Sequence, residues 1–459
     1  MKIKELYIQQ YHQFNAFHLD LTYPTGHPKA GQALDKVCFI GQSGTGKTSL
    51  LEVLFNVISI LIKESEVLPK EGAIRLPLDK KRQELEKFDE LYGVGINLKF
   101  DNDVSTFITK NATLVGENFL LDYDSQEENN IHDFLKNSFK LVLYPCDIDI
   151  PTIGKQPQEQ HKSTLGDNIL NFGNYDLQSS WGTINEAIIK DRELEIKKSL
   201  DLSKLLQNPI YSQDEVWKAR EEFLAWRKAS PNPIVDLADN FLNKIIGRFN
   251  LKVKTELDFE KTEDIETIKI QTAQGKDIPF EALSTGTKQV ILTALPLYGL
   301  KPENAIILFD EPERSLYPDI QAEIVDFYTS MAKDSQFFFA THSPLVASSF
   351  EPWEVVELKF NPETGNVYQE LYYDAQKERH VDSYFINPQY LTWTGILQKV
   401  FDLDQEGNDL RDRQLIRIAT LESQLKQPHL SLEQKKEKFE EYKKLATLLN
   451  WELKKHEKN

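Results

Sequence analysis

The sequence predicts an α/β fold, and three observations carry that expectation. Val37-Cys38-Phe39-Ile40, Ala305-Ile306-Ile307-Leu308-Phe309 and Phe337-Phe338-Phe339-Ala340 are short continuous apolar runs, the pattern of strands buried on both faces of a sheet. The first stops at Gly41 and the second at the acids Asp310 and Glu311. Helix-type spacing follows the first run over 49–62 and precedes the second over 280–300.

The other elements fall around this frame. Residues 1–23 alternate like a hairpin, with Ile3, Leu6 and Ile8 answered by Phe17, Leu19 and Leu21. INLKF, STFIT, FLLDY and KLVLYP between 95 and 146 predict an antiparallel sheet. Residues 151–182 read as polar loop, and 184–228 and 234–249 as helix, parted by the breaker Ser230-Pro231-Asn232-Pro233. Strands return at LKVKTEL and TIKIQT. Beyond Asp382 the chain reads as helical. Phe439, Tyr442, Ala446, Leu449 and Leu453 share one helix face, and Ser431 with Gln434 forms a capping-box start. Pro428 separates this helix from a run holding Leu415, Ile418 and Leu425, so a helical hairpin is expected, packing on its own domain or joining subunits. The expected divisions are 1–150 with a charged insertion at 63–92, a mainly helical insertion at 151–250, a second half at 251–381, and a helical tail at 382–459.

Composition narrows the function classes. The chain has 459 residues, 40% hydrophobic and 27% charged, an ordinary globular balance. Cys38 and Cys146 are the only cysteines and lack C-x-x-C spacing, which argues against a disulfide framework or cysteine-rich zinc site and fits a reducing cytosol. No stretch approaches the ~20 apolar residues that span a bilayer, so a cytoplasmic protein without membrane contact is expected. The net charge of −18 repels phosphate backbones and gives DNA binding no support. The nine histidines form no H-x-x-x-H cluster, and no repeat of 20–50 residues is present.

Gly41-Gln42-Ser43-Gly44-Thr45-Gly46-Lys47-Thr48 fits G-x-x-x-x-G-K-[ST] at every fixed position, between an expected strand and an expected helix. Glycines at 41, 44 and 46 let the backbone curl so that its N–H groups, with those of Ser43 and Ser49, face an anion. The helix start adds its positive dipole end. Lys47 suits the β- and γ-phosphates of ATP, and Thr48 offers a hydroxyl to Mg²⁺. Asp310 and Glu311 end a buried strand, where α/β sheets carry their ligand residues. Asp310 would help hold Mg²⁺, and Glu311 would deprotonate the attacking water. Leu283-Ser284-Thr285-Gly286-Thr287-Lys288-Gln289 opens an apolar helix. Ser284 suits an N-cap, and Gly286 admits close backbone approach. Asp402-Leu403-Asp404-Gln405-Glu406-Gly407 has the outline of a calcium loop or of the D-x-D of a TOPRIM nuclease, but Arg413 stands where the twelfth calcium ligand belongs and no buried strands carry the acids, so a solvated turn is expected.

In this order the motifs resemble those of ABC-type ATPases. Ser284 to Gln289 is similar to the LSGGQ-like signature as spelled among SMC, RecF and OLD-like proteins. Asp310-Glu311-Pro312-Glu313 with Leu316-Tyr317-Pro318 resembles the D-E-P-E-x-x-L-H-P run of that branch, with tyrosine in place of histidine. Thr285 and Thr287 also depart from the common spelling. The resemblance implies an ABC-type P-loop fold with an antiparallel β subdomain. It further implies that Ser284, Gly286 and Lys288 act on ATP held by a second copy of the chain, and that His342 of Thr341-His342-Ser343-Pro344 contacts the γ-phosphate within its own subunit. Ser315 and Leu316 would fall in the segment that communicates between two such sites. A magnesium-sensing glutamine is implied among Gln156, Gln158 and Gln160.

Ser284 lies about 237 positions after Lys47, far more than in transporter subunits of that class. Yet a there-and-back hairpin of about 100 residues would reach only ~75 Å, short of a full SMC arm. No nuclease motif is present. The layout resembles the stand-alone ATPase subunits of the Septu and PARIS antiphage systems, which implies a sensor or scaffold acting with a separate effector. The alternatives are a RecF-like DNA-repair clamp and a scaffold that binds ATP with little turnover.

Overall fold

The computed structural model describes residues 1–67, 96–101, 105–109, 118–122, 134–146, 167–174, 177–207, 210–230, 232–256, 268–371, 387–401, 403, 408–427, 429–449. They form two compact units, Met1–Leu391 and Thr392–Asn459. Most of the charged stretch 63–92, all of 151–166 and most of 402–407 lie outside the described residues.

The first unit is built on parallel strands, the central ones buried on both faces. They are β3 (Lys36–Gly41), β7 (Lys140–Tyr144), β8 (Ile169–Asn171), β12 (Ala305–Asp310), β13 (Gln336–Ala340) and β14 (Val355–Phe360). Their spatial order is β14-β3-β13-β12-β7-β8, with every neighbouring pair parallel. On one face Phe39, Leu141, Ile306, Leu308 and Phe338 join Leu50, Leu54, Val57 and Leu61 of helix α1 (Lys47–Val67) in a continuous core. On the other face Tyr144, Phe309 and Phe339 sit in register on β7, β12 and β13. Their rings stack at 4.8 and 5.2 Å, and Phe172 and Tyr328 extend the row at 4.7 and 4.4 Å. Burial on both faces is why β3, β12 and β13 read as unbroken apolar runs.

An antiparallel layer extends the sheet. The expected hairpin forms from β1 (Ile3–Tyr11) and β2 (Phe14–Asp20), with Leu6 opposite Leu19 and Ile8 opposite Phe17. Strands β4 (Ile96–Phe100), β5 (Ser105–Thr109) and β6 (Asn118–Asp122) continue antiparallel from β1. Strand β15 (Val367–Glu370) bridges β2 and β14, which completes twelve strands. A separate antiparallel sheet holds β9 (Leu251–Val253), β10 (Ile270–Thr272) and β11 (Asp277–Ile278).

Two expectations are corrected. KLVLY does not belong to the antiparallel layer: β7 lies parallel between β12 and β8, and its residues 141–144 are all buried. The loop expected over 151–182 contains β8, and helix α2 (Leu177–Gln207) begins inside it. Leu170 is buried in β8 beside β7, so tertiary pairing overrides the local polarity.

Helix α2 runs against α3 (Gln213–Ala229), whose start is fixed by the Ser212–Glu215 capping box. Arg227 joins the two helices through Asp191 at 2.9 Å and Glu195 at 3.2 Å. Helical turns over 233–246, π-helical at Leu237–Leu242, lead back to β9. Helix α4 (Thr285–Leu300) precedes β12, and Tyr144 on β7 donates to the Thr293 carbonyl at 3.1 Å.

In the second unit α5 (Trp393–Lys399) is followed by an antiparallel helical pair, α6 (Asp409–Leu425) and α7 (Leu432–Leu448). Ile418 and Leu421 pack on Tyr442 and Ala446, flanked by Leu425, Leu445 and Leu449. Phe439 stays partly exposed, and Leu453 lies outside the described residues. Among the described residues no helix is long and apolar enough to cross a membrane.

Glu354 supplies a test of packing. It is buried, with Lys36 Nζ 3.4 Å away, and burial pushes its carboxyl up to about 7 against the pull of Lys36. The folded state therefore holds this proton more tightly than the unfolded chain, whose ordinary value is 4.5. That stabilisation is complete below the unfolded value and is lost as pH rises through about 7. Glu354→Gln, neutral throughout, should gain urea resistance relative to the parent between pH 5 and pH 8, read as the difference in denaturation midpoints.

Candidate nucleotide site

The site begins where β3 runs into the glycine-rich loop. Gly46 has φ +84°, and a Cβ there would stand 2.3 Å from Gln13 Nε2 and 2.7 Å from the Phe14 ring. Only glycine tolerates both the left-handed backbone and this approach by the β1–β2 turn. Thr45 Oγ1 donates to the Gln42 carbonyl at 2.9 Å, which shapes the loop from within. Lys47 Nζ donates to the carbonyls of Gly41 and Gln42 at 2.9 and 3.1 Å. Burial lowers its pKa to about 8, with Glu311 and Asp310 pulling upward. Ser43, Gly44 and Thr48 are exposed, and Ser49 is half-buried in the first turn of α1. That turn carries no acid, so its N–H groups and dipole end are available to an anion.

Opposite the loop stand the ends of β12 and β13. Thr48 Oγ1 donates to Asp310 at 2.9 Å, bringing a hydroxyl and a carboxylate onto one spot. Burial raises Asp310 to about 6, while Thr48 and Cys146 favour its ionised form. Glu311 leaves the strand with φ +48°, a left-handed conformation that costs a non-glycine residue roughly 1–2 kcal/mol. Its N–H donates to the Ala340 carbonyl at 2.8 Å, which holds the turn. The carboxylate reaches to 3.7 Å from His342 Nε2, close but outside hydrogen-bond distance. His342 is pushed down by burial and by Lys47, with Glu311 opposing.

Glu313 had no role assigned from sequence, yet it organises this corner. It is buried, and its Oε1 accepts from Thr341 Oγ1 at 2.5 Å and from the His342 N–H at 3.1 Å. Gln13, Phe14 and Cys146 were missed as well. The first two follow the tip of a hairpin that local pattern cannot aim. Cys146 follows β7, and reading that strand as parallel would have put its end beside Asp310.

The structure brings together Gly41, Gly44, Gly46, Lys47, Thr48, Asp310, Glu311 and His342 at adjacent parallel strand ends. The signature-like residues are organised separately. Ser284 caps α4 by accepting from the Thr287 N–H at 3.1 Å, and Lys288 Nζ donates back to the Glu281 carbonyl at 2.8 Å. Among the described residues neither hydrogen-bonds to the loop over 41–48. Ser284 and Thr285 are exposed. Gly286 is buried against the turn after Glu311: a Cβ there would lie 2.3 Å from the Ser315 carbonyl oxygen. Gln156, Gln158 and Gln160 lie outside the described residues.

A magnesium ion fits the donors present. Thr48 and Asp310 converge as hard oxygens, and no group of three His, Cys, Asp or Glu side chains forms a cage among the described residues. Magnesium is characteristically held this way, by one or two protein oxygens together with phosphates and water.

Residues 1–347 match the family model described as AAA ATPase domain. No curated protein matches. Among solved structures, the SMC head domain from Thermotoga maritima is 13% identical, with 80% of this chain and 98% of that chain covered at a TM-score of 0.37. The SMC head bound to the C-winged helix domain of ScpA is 14% identical, with 80% and 97% covered at 0.36. The Pyrococcus furiosus SMC head with an extended coiled coil, bound to the C-terminal domain of ScpA, is 14% identical, with 80% and 95% covered at 0.35. All three are distant likenesses.

The contact at Gly286 is testable. Gly286→Ala must displace α4 or the turn at Ser315, an overpacking cost of about 1–3 kcal/mol. The expected result is a lower thermal midpoint together with reduced nucleotide turnover, whereas Ser284→Ala should lose about 1 kcal/mol of cap energy.

Proposed function

This chain belongs to the AAA ATPase domain family, and we propose that it hydrolyses ATP at composite sites closed by a second copy of itself. The observation that carries the hydrolase reading is the convergence of Lys47, Thr48, Asp310, Glu311 and His342 at three adjacent strand ends. Backbone N–H groups of the loop and the first turn of α1 receive the phosphates, and Lys47 exchanges its two carbonyl acceptors for phosphate oxygens. Thr48 and Asp310 would hold Mg²⁺, which neutralises charge across the β- and γ-phosphates. Glu311, strained at the end of β12 and half-exposed, takes the proton of the attacking water. His342, fixed through its backbone by Glu313, orients the γ-phosphate side.

Closure by a second copy is supported by the exposed start of α4. Its capped N-terminus offers N–H groups and a positive dipole end to an anion outside its own loop. Gly286 rests on the turn after Glu311, so a shift there on hydrolysis is felt at the surface that faces the other site. The net charge of −18 disfavours a DNA clamp and favours work on a protein. In the reading we prefer, the chain is the sensor or scaffold ATPase of an antiphage system acting with a separate effector.

Glu311→Gln should bind ATP, slow turnover about a hundredfold or more, and accumulate as an ATP-dependent dimer in light scattering. Lys47→Ala should fail to retain nucleotide and stay in the ATP-free state. Parental turnover by Glu311→Gln removes it as the base, and a nucleotide-loaded monomer that still turns over removes the composite site. ATP-dependent DNA binding that weakens steeply with salt would favour the clamp instead.

A further inference from the structure

The helical pair of the second unit carries a surface groove beside its own core. Leu432, Lys435, Lys436 and Phe439 stand at i, i+3, i+4 and i+7 along α7, on one face of the helix. With Leu425 and Lys426 from the end of α6 they line a cavity of about 470 Å³. The floor is apolar, and Leu432 is 75% exposed at the first turn of its helix, outside the core of the pair. The rim is cationic.

Neighbouring cations of the same pair are engaged. Arg417 holds Glu441 through two bonds of 2.7 and 2.8 Å, Lys443 meets Glu440 at 3.2 Å, and Lys438 donates to Gln424 at 2.7 Å. Lys426, Lys435 and Lys436 have no ion-pair partner among the described residues. Three unpaired lysines around an apolar floor, in a chain of net charge −18, form a local inversion of the protein's field. Such a groove complements one chemistry: a large apolar side chain to fill the floor, flanked by carboxylates for the rim.

We propose that this groove docks an acidic amphipathic segment of a partner protein, anchored by a single leucine or phenylalanine. The apolar anchor supplies affinity at the floor, and the lysines select for acidic flanks and speed encounter. The site lies wholly within the second unit.

The test uses the full chain and fluorescein-labelled twelve-residue peptides read by anisotropy. One peptide carries a central phenylalanine among glutamates, a second replaces the phenylalanine by alanine, and a third replaces the glutamates by lysines. The first should bind and the other two should bind at least about tenfold more weakly. Lys435→Glu/Lys436→Glu should lose the acidic peptide by a similar factor and gain the lysine peptide, with unchanged ATP turnover and thermal midpoint. Leu432→Ser, at an exposed position, should weaken the acidic peptide without unfolding the pair. The proposal is overturned by equal binding of all three peptides, or by an unaffected double variant. Two further outcomes also overturn it: binding to phosphatidylserine vesicles in place of the peptide, and self-association abolished by the lysine substitutions, which would make a second copy the occupant.

Discussion

The parallel register of β3, β13 and β12 is the constraint from which the rest of the site follows. Ala340 stands opposite Phe39 on one side and Asp310 on the other, so three strands end at one level. Loop, acids and histidine are then neighbours by construction, although hundreds of residues separate them in the chain. The aromatic row of Tyr144, Phe309 and Phe339 beneath them locks that level. A one-residue slip would turn each ring to the opposite face, misplace Asp310 from Thr48 and carry Glu311 out of reach of His342.

Beyond the strand ends, a run of hydrogen bonds ties the turns together. From the His342 N–H it passes to Glu313, to Thr341 and to the Ser343 N–H at 2.9 Å. Ser343 Oγ donates to Gln321 at 2.6 Å, and Gln321 donates to the Leu316 carbonyl at 2.8 Å. Leu316 and Ser315 are the residues on which Gly286 rests. The corner formed by Glu313 and His342 and the exposed start of α4 therefore share one polar scaffold. Within it Glu313 Oε1 is doubly engaged while its buried Oε2 has no hydrogen-bond partner, so the network fixes this corner at the cost of one unsatisfied oxygen.

Much of this was legible in the sequence, and the failures have physical causes. Buried parallel strands announce themselves as VCFI, AIILF and FFFA because both faces need apolar side chains. The glycine-rich loop was legible because phosphate chemistry demands particular residue types at fixed spacing. KLVLY has the same apolar character, but its neighbours alternate, and local pattern assigned it to their layer. Its true partner, β12, lies more than 160 positions away, a pairing that composition cannot disclose. Polar residues around β8 concealed a strand whose identity comes only from the edge it covers. Glu313 and Gln13 belong to the same class: an acid after a strand and a glutamine at a hairpin tip look solvated until tertiary contacts are known.

The position of β13 has a consequence for biogenesis. Phosphate-loop strand β3 emerges early from the ribosome, yet both of its flanking strands, β13 and β14, lie about 300 residues downstream. The first strand pairs locally with β2 and β4 but completes its contacts only there, where the Ile3 N–H donates to the Gln336 side chain. The parallel core therefore cannot close from the amino terminus onward, although the antiparallel hairpin can. The nascent chain must hold an apolar strand and a long apolar helix unsheltered until residues near 360 are made, which makes this a slow, high-contact-order fold. Synthesis must pass that point before the strand that leads into the glycine-rich loop acquires both of its neighbours.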